Sequence, residues 1–185
     1  YPYTSSSNSI AAFSTIGAGI PQLHLDESIG VMKAYSTCVG EGPFVCELFG
    51  EEGEILRRAG NEYGAATGRP RRVGGFDVVA SRYGARVQGA TAIALTKLDI
   101  LSYFDKIPVC VAYEIDGKRV DTFPTGSALN NAKPVYEYFD GWKEDISDCR
   151  SFDELPEAAK KYIDFIETRI KYISVGAERD SIITR

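Results

Sequence analysis

Apolar and polar residues alternate in short blocks along the chain, and these blocks predict a succession of helices and strands. Ile29, Met32 and Tyr35 recur at helical spacing behind Asp26, which predicts a capped helix that ends before the turn-rich residues 40–44. The stretch that follows, to about residue 63, is acidic and broken by glycine. After it, residues 77–88 have the pattern of a short helix.

The second half of the chain contains several strand patterns. Residues 91–101 form a compact apolar run with a polar end, typical of a buried strand that enters a loop. Two β-rich runs flank Asp116-Gly117, a pair suited to a tight hairpin turn. Residues 134–139 predict another strand, and residues 172–182 predict a strand that runs into a glycine turn.

One amphipathic helix is predicted near the end of the chain. Ser151 and Glu154 fit a capping box, and six apolar residues behind it fall on one helical face: Leu155, Ala159, Tyr162, Ile163, Ile166 and Ile170. Strands and helices that alternate in this manner predict an α/β fold, with a mixed, largely parallel sheet flanked by helices and a β-hairpin excursion.

Composition fits one globular domain over residues 1–185, with 44% apolar and 25% charged residues. The 21 basic and 26 acidic residues give a net charge of −5, which argues against nucleic acid or an anionic membrane as a partner. No apolar run approaches the roughly 18 residues of a membrane span, and no signal-peptide pattern occurs. We therefore expect a soluble, cytoplasmic protein.

Cysteine and histidine offer little metal chemistry. Cys38, Cys46, Cys110 and Cys149 have no CxxC spacing, so they are expected to be reduced and mostly buried thiols. The single histidine, His24, is expected at a turn or on the surface, and no metal site is predicted. Because Met32 is the only methionine, the chain is expected to be a fragment of a longer protein.

The positive charge is localised in the loop from Gly64 to Gly75, which contains Arg69, Arg71 and Arg72. Its small residues allow close approach of a ligand to the backbone, and its guanidinium groups can clamp a carboxylate or phosphate with paired donors. The alternative is a solvated turn with surface arginines.

Two further segments can recognise a purine base. In Leu95–Asp99, the Asp99 carboxylate can accept the N1–H and 2-amino donors of guanine, while the Lys97 stem covers the base. The segment resembles the guanine-reading NKxD element, with Thr96 in place of Asn; the alternative is an ordinary strand end. Residues 174–180 contain Gly176, which could bring backbone amides to the same base, or could form a plain turn.

A series of segments resembles the C-terminal portion of the adenylosuccinate synthetase family, in the same order and with similar spacing over essentially the whole chain. The segments are YPYTSSSN, KAYSTCVGEGPFVCEL, GNEYGAATGRPRR, LTKLDIL, CVAYEIDGKR and DGWKEDI. Members of this family join IMP to L-aspartate at the expense of GTP, with Mg²⁺ bound. The 6-oxygen of IMP is phosphorylated, and the aspartate amino group then displaces phosphate.

The resemblance implies three groups of binding residues. The aspartate loop would be Ala65, Ala66, Thr67, Gly68, Arg69, Pro70 and Arg71; IMP would contact Ser5, Val39 and Arg69; and GTP would contact Arg71, Lys97, Leu98, Asp99, Ser174, Val175 and Gly176. The chain departs from the family pattern at two of these positions and at one position next to them. Ala66 replaces a common threonine, Pro70 a basic residue and Cys38 an arginine.

The family's phosphate loop, its Mg²⁺ ligands and its acid–base Asp and His precede the segment aligned with Tyr1. The resemblance therefore implies that residues 1–185 are the substrate- and guanine-binding half of a homodimeric enzyme, with the N-terminal phosphate-loop half absent. No catalytic residue is expected here, and the half alone is expected to be inactive. The alternative is a non-catalytic α/β module that binds a nucleotide or dicarboxylate.

Overall fold

The computed structural model describes residues 8–20, 24–124, 126–167 and 169–185. Its α-helices are α1 (Ser14–Ala18), α2 (Gly50–Ala59), α3 (Val78–Gln88) and α4 (Glu157–Ile166). Its strands are β1 (Ile29–Lys33), β2 (Ser36–Cys38), β3 (Arg72–Gly74), β4 (Phe76–Asp77), β5 (Ala92–Thr96), β6 (Lys106–Ile115), β7 (Lys118–Val120), β8 (Lys133–Asp140), β9 (Ile170–Ser174) and β10 (Ile182–Thr184). Mixed sheets flanked by helices confirm the predicted α/β class.

The first sheet has the strand order β1-β5-β9-β10. Its first three strands are parallel, with Leu95 opposite both Met32 and Ile173, and β10 runs antiparallel to β9. Because parallel strands end at the same edge, the residues after β5 and after β9 leave the sheet next to each other. Lys97–Asp99 and the turn at Gly176 therefore come together through the strand order alone.

The second sheet is built around β6, which pairs along its length with β8 and near its end with β7. Asp116 and Gly117 join β6 to β7 with φ angles of 51° and 73°, so the predicted hairpin is confirmed. The short strand β4 lies parallel to β6 on its other side. A separate antiparallel pair, β2 with β3, places Cys38 opposite Arg72.

Helix α4 packs its apolar face onto the core between the sheets. The buried members of this face are Ala159, Tyr162, Ile163 and Ile166. The Tyr162 ring contacts Phe139 and Trp142, and its hydroxyl donates to the Ala34 carbonyl oxygen at 2.5 Å. Burial of each large apolar side chain contributes about 1.5–3 kcal/mol, so this face is a main source of stability.

The helix predicted behind Asp26 is wrong. Ile29–Lys33 forms β1 and Ser36–Cys38 forms β2, while Asp26 lies exposed beside His24, whose own predicted exposure is confirmed. The cause is non-local, because β1 pairs residue by residue with β5 and buries Gly30 against that strand. Pairing of this kind overrides a helical spacing that only three apolar residues support.

The capping box predicted at Ser151 and Glu154 does not open the long helix. The Ser151 side chain makes no capping hydrogen bond, and α4 begins at Glu157, directly after Pro156. Proline has no N–H to donate and is favoured near a helix start, so it separates the short turn from α4. The predicted face continues only to the end of α4, because Ile170 begins β9.

Residues 50–59 form α2, a helix that was not predicted from the sequence. Gly53 lies within this helix, and a Cβ atom at that position would overlap the carbonyl oxygen of Leu48. The glycine that makes the pattern look broken therefore allows close packing of the helix against the preceding segment.

The predicted helix at residues 77–88 is confirmed as α3. The Asp77 carboxylate caps it by accepting from the Ala80 N–H at 2.9 Å and also accepts from the Tyr113 hydroxyl at 2.7 Å. Burial raises the pKa of Asp77. Helix α3 is thus joined to β6 by a buried tyrosine–carboxylate pair.

The four cysteines are free, as predicted, but only Cys46 and Cys110 are buried; Cys38 and Cys149 are partly exposed. None of the described helices has the length and apolar character that crossing a membrane requires.

Gly141 tests the packing at the end of β8. A Cβ there would overlap the carbonyl oxygen of Phe104, so Gly141→Ala should lower the free energy of unfolding by about 1–3 kcal/mol. The control is Gly84→Ala in α3, where a Cβ meets nothing within 4 Å and alanine should stabilise by about 0.5–1 kcal/mol. Urea unfolding measures both, and equal effects would contradict the packing at Gly141.

Candidate functional site

The loop from Gly64 to Gly75, the arginine loop, is closed by hydrogen bonds within its own backbone. The Gly64 N–H donates to the Arg69 carbonyl oxygen at 2.8 Å, and the Gly68 N–H donates to the Gly64 carbonyl oxygen at 2.8 Å. Gly68 has φ +66°, in the left-handed region that glycine enters without a steric penalty. Residues 65–70 are exposed at the tip, so the loop has a fixed base and an accessible end.

The three arginines of the loop have different environments. Arg72 pairs with Glu47 at 2.6 Å and donates to the carbonyl oxygens of Gly40 and Gly42, so its guanidinium is used within the fold. Arg71 is partly buried. Arg69 is exposed and makes no ion pair with any residue that the structure describes. Most of the Arg72 donors are therefore used by protein groups, although Arg72 lines the same cavity beside the loop as Arg69 and Arg71.

A cavity of about 340 Å³ opens beside this loop. Val39, Arg69 and Arg71 line it, together with Thr67 and Cys38. The exposed Val39 gives it an apolar wall, and the arginines give it a cationic one. The cavity thus brings together residues that the sequence assigned to IMP, to aspartate and to GTP. Ser5, also assigned to IMP, lies outside the described residues.

The second part of the site follows β5. Lys97 has φ +60° and turns the chain, after which Asp99 begins a short 3-10 helix. The Leu98 N–H donates to the Ser174 carbonyl oxygen at 3.3 Å, which joins this segment to the end of β9. We call residues Lys97–Asp99 and Ser174–Gly176 together the strand-end segment.

Within the strand-end segment, Leu98 and Val175 are fully buried and support its polar members. The Ser174 hydroxyl donates to the Gly176 carbonyl oxygen at 2.8 Å, and a Cβ on Gly176 would lie 2.9 Å from Ser181 Oγ. The turn is therefore closely packed, and a larger residue at position 176 would displace the Ser181 side chain.

Asp99 has the least occupied carboxylate of the site. Within the described ranges, no side chain donates a hydrogen bond to it and none pairs with it as a cation within ion-pair distance. Burial raises the pKa of Asp99, although its own N–H and that of Ile100 favour the ionised form. A half-buried carboxylate with free acceptor positions suits a ligand that presents two parallel N–H donors.

Glu62 connects the loop to the strand-end segment and was not among the predicted site residues. Its carboxylate is 2% exposed and accepts from Lys33 Nζ at 2.8 and 2.9 Å, from the Tyr35 hydroxyl at 2.6 Å and from Lys97 Nζ at 3.0 Å. The Arg71 guanidinium lies 3.7 Å from the same carboxylate. A buried charge of this kind is stable only when it is paired, and here three hydrogen-bond donors and one further cation surround it.

The donors control the ionisation of Glu62. Burial opposes its charge, but hydrogen bonds from Lys33, Tyr35 and Lys97 outweigh burial and lower the pKa to about 2. The sequence carried a signal for this residue, because Glu62 is the only acidic residue between Glu54 and Asp77, a stretch that contains five arginines.

Metal ligands do not cluster in the parts of the chain that the structure describes. No three His, Cys, Asp or Glu side chains come close enough together there to hold a metal ion. The described residues therefore do not form a carboxylate cluster for Mg²⁺ by themselves.

Together, the fold and site define an α/β protein in which a cationic loop and a strand-end carboxylate are linked through one buried glutamate. A family model described as adenylosuccinate synthetase matches residues 1–183. The chain belongs to the adenylosuccinate synthetase family.

Individual relatives agree with this assignment. Adenylosuccinate synthetase of Kineococcus radiotolerans is 50% identical over 190 residues, and that of Cutibacterium acnes is 48% identical over 188 residues. These alignments cover 100% and 99% of this chain but 44% of each relative, so the chain spans less than half of their length. The solved structure of fully ligated adenylosuccinate synthetase from Plasmodium falciparum is similar with a TM-score of 0.92, at 41% identity, over 100% of this chain and 46% of that one.

The depressed pKa of Glu62 predicts a loss of stability in acid. Its folded-state pKa of about 2 lies below the ordinary 4.5, so its contribution is full above about pH 4.5 and disappears as pH falls toward 2. Between pH 6 and pH 3, the free energy of unfolding should therefore fall less in Glu62→Gln than in the unsubstituted protein, by on the order of 2 kcal/mol. Urea unfolding at pH 6, 4 and 3 measures this difference, and substitution of the exposed Glu137 by Gln is the control. If the free energy of unfolding of Glu62→Gln depends on pH as strongly as that of the unsubstituted protein, Glu62 is not the group with the lowered pKa.

Proposed function

We propose that this chain supplies the aspartate-, IMP- and guanine-binding part of a GTP-dependent ligase that joins IMP to L-aspartate and forms adenylosuccinate in purine nucleotide synthesis. The observation that carries the proposal is the cavity in which Val39, Arg69 and Arg71 meet, in a chain whose whole length matches the family. Homodimer formation and a cytoplasmic location stay predictions from the same resemblance.

The loop is suited to a small dicarboxylate. Arg69 has an exposed guanidinium with no described ion-pair partner, and planar paired donors match a carboxylate better than a point charge does. Backbone groups of Ala65, Thr67 and Gly68 at the exposed tip can approach the rest of the ligand. Arg69 also borders Val39 in the cavity, so one guanidinium can contact both aspartate and the ribose of IMP.

The strand-end segment is suited to guanine. The Asp99 carboxylate has free acceptor positions for the N1–H and 2-amino donors of the base, and hypoxanthine or adenine offers no such pair. The Lys97 ammonium is held by Glu62 and by the Gly60 carbonyl oxygen, which leaves its alkyl stem to lie over the ring. Arg71, whose guanidinium lies 3.7 Å from Glu62 on the side of the loop nearest this segment, is proposed to contact the phosphates of the nucleotide.

The residues in this chain bind and orient the reactants. Phosphorylation of the 6-oxygen of IMP and displacement of that phosphate by the aspartate amine both need reactants held in line, and the guanidinium groups can supply that orientation. Groups that act in proton transfer and in phosphate binding are proposed to lie in the portion that the longer relatives have in addition. The proposed function therefore concerns the full-length protein.

Arg69→Ala tests the dicarboxylate assignment. Loss of a charge-assisted, paired contact should raise KM for aspartate and lower kcat, with a fall in kcat/KM of about tenfold to a hundredfold. Steady-state kinetics of the full-length protein measure this, with GTP and IMP saturating.

The matched control is Arg119→Ala, an exposed arginine on β7. It removes the same charge outside the cavity and should leave all three KM values unchanged. Unchanged aspartate kinetics in Arg69→Ala would show that the loop binds another ligand.

Asp99→Asn tests the base assignment. The asparagine amide loses one acceptor position and gains an N–H donor, which suits the 2-oxygen of xanthine instead of the 2-amino group of guanine. Sites built on substrate hydrogen bonds reject mismatched analogues by roughly 10⁴-fold, so GTP should fail as a substrate and XTP should improve.

The measurement is kcat/KM for GTP and for XTP before and after the substitution. Asp148→Asn, in the polar segment before α4, is the control and should keep the GTP preference. If Asp99→Asn also keeps it, the segment after β5 is an ordinary strand end and the guanine assignment is wrong.

A further inference from the structure

We propose that Glu62 is a positioning residue that holds the arginine loop and the strand-end segment in one arrangement, so that substrate binding at either place depends on the same buried carboxylate. This inference rests on the proposed function and adds a residue to which that function assigns no role. Glu62 does not line the cavity beside the loop, so it would act through Arg71 and Lys97.

On the loop side, both the backbone and the side chain of Glu62 contact Arg71. The Glu62 carbonyl oxygen accepts from the Arg71 N–H at 2.9 Å, and the carboxylate lies 3.7 Å from the Arg71 guanidinium. The Nε of Arg71 is buried and has no hydrogen-bond partner among the residues that the structure describes. The Glu62 carboxylate is thus the acidic group paired with Arg71, whose side chain also lines the cavity.

On the other side, Glu62 fixes a strained residue. Lys97 has φ +60°, a backbone region that is unfavourable for a side chain with a Cβ atom. Its ammonium is bound by the Glu62 carboxylate at 3.0 Å and by the Gly60 carbonyl oxygen at 2.6 Å. These bonds hold the turn that places Asp99 at the end of β5.

Two donors fix Glu62 to the sheet. Lys33 ends β1, and Tyr35, which is 3% exposed, follows it before β2. Lys33 and Tyr35 thus connect the carboxylate to a strand that is paired with β5, from which Lys97 extends. The loop, the sheet and the strand-end segment are consequently all bound to the Glu62 carboxylate.

The charges around Glu62 predict the effect of removing its carboxylate. One carboxylate faces three cations, Lys33, Lys97 and Arg71, at 2.8, 3.0 and 3.7 Å. In Glu62→Gln the three cations remain without their counter-charge and repel one another, so both Arg71 and Lys97 move. A residue that served only the stability of the core would not displace both.

The experiment uses Glu62→Gln in the full-length protein. We expect KM to rise about tenfold for aspartate and about tenfold for GTP, with a smaller change in kcat, because binding geometry is lost at both places. Backbone amide exchange followed by mass spectrometry provides a readout that is independent of activity. Exchange should increase in peptides that cover residues 64–71 and residues 97–99.

A second variant keeps the test valid if Glu62→Gln folds poorly. Tyr35→Phe removes one hydrogen bond to Glu62 and retains every charge, so it should change both KM values and both peptides in the same direction by a smaller amount. Its control is Tyr113→Phe, which removes an equivalent buried bond from tyrosine to the Asp77 carboxylate at 2.7 Å. The control should lower the melting temperature and leave the KM values and these peptides unchanged.

The outcomes separate the two proposals. If the unsubstituted protein shows no IMP- and aspartate-dependent GTP turnover, the proposed function fails, whatever Glu62 does. If it is active but the KM values of Glu62→Gln and Tyr35→Phe match those of Tyr113→Phe, the positioning role is overturned. Unchanged exchange in residues 64–71 and 97–99 of both Glu62-centred variants overturns it as well, with or without activity.

Discussion

The pairing of the buried Glu62 carboxylate with three hydrogen-bond donors and the Arg71 guanidinium is the interaction on which the site depends. It lies where the chain passes from α2 into the arginine loop, and its partners come from β1, from the segment that links β1 to β2, from the loop and from the end of β5. A buried carboxylate without these donors would be protonated or would expel the segment into solvent. With these partners the Glu62 carboxylate stays ionised, and its negative charge holds Arg71 and Lys97 in their positions.

The parallel sheet supplies the second constraint. Because β1, β5 and β9 run in the same direction, Lys33, Lys97 and Ser174 all lie at or just past the same edge. Ligand groups in open α/β proteins are found at such an edge, where chains leave the sheet and backbone amides are free. Here the edge faces the loop that β3 and α2 anchor, so the strand order determines which polar residues can act on one ligand.

Three arginines that are equivalent in the sequence have different roles in the structure. Arg72 is used by Glu47 and two carbonyl oxygens, Arg71 is oriented by Glu62, and Arg69 extends from the exposed tip. Composition could indicate an anion-binding loop, since clustered like charges require a partner. The positions of Glu47 and Glu62 in the folded chain decide which guanidinium pairs with a carboxylate of the protein and which can still bind a ligand.

The sequence by itself determined those features in which neighbouring residues decide the structure. The hairpin at Asp116-Gly117, the short helix α3, the buried strand β5 and the polar segment after it were all predicted from short patterns, and the structure has them. The late start of α4 behind Pro156 is also a local effect, although the prediction placed the helix start at the capping box. Tertiary structure decided the strands before α2: Ile29–Lys33 and Ser36–Cys38 are strands because β5 and β3 pair with them. Glu62 was missed for the same reason, since its donors Lys33 and Lys97 are 29 and 35 residues away along the chain. Local spacing encodes the preferences of a segment, whereas the partner of a strand or of a buried charge is determined only when distant segments pack together.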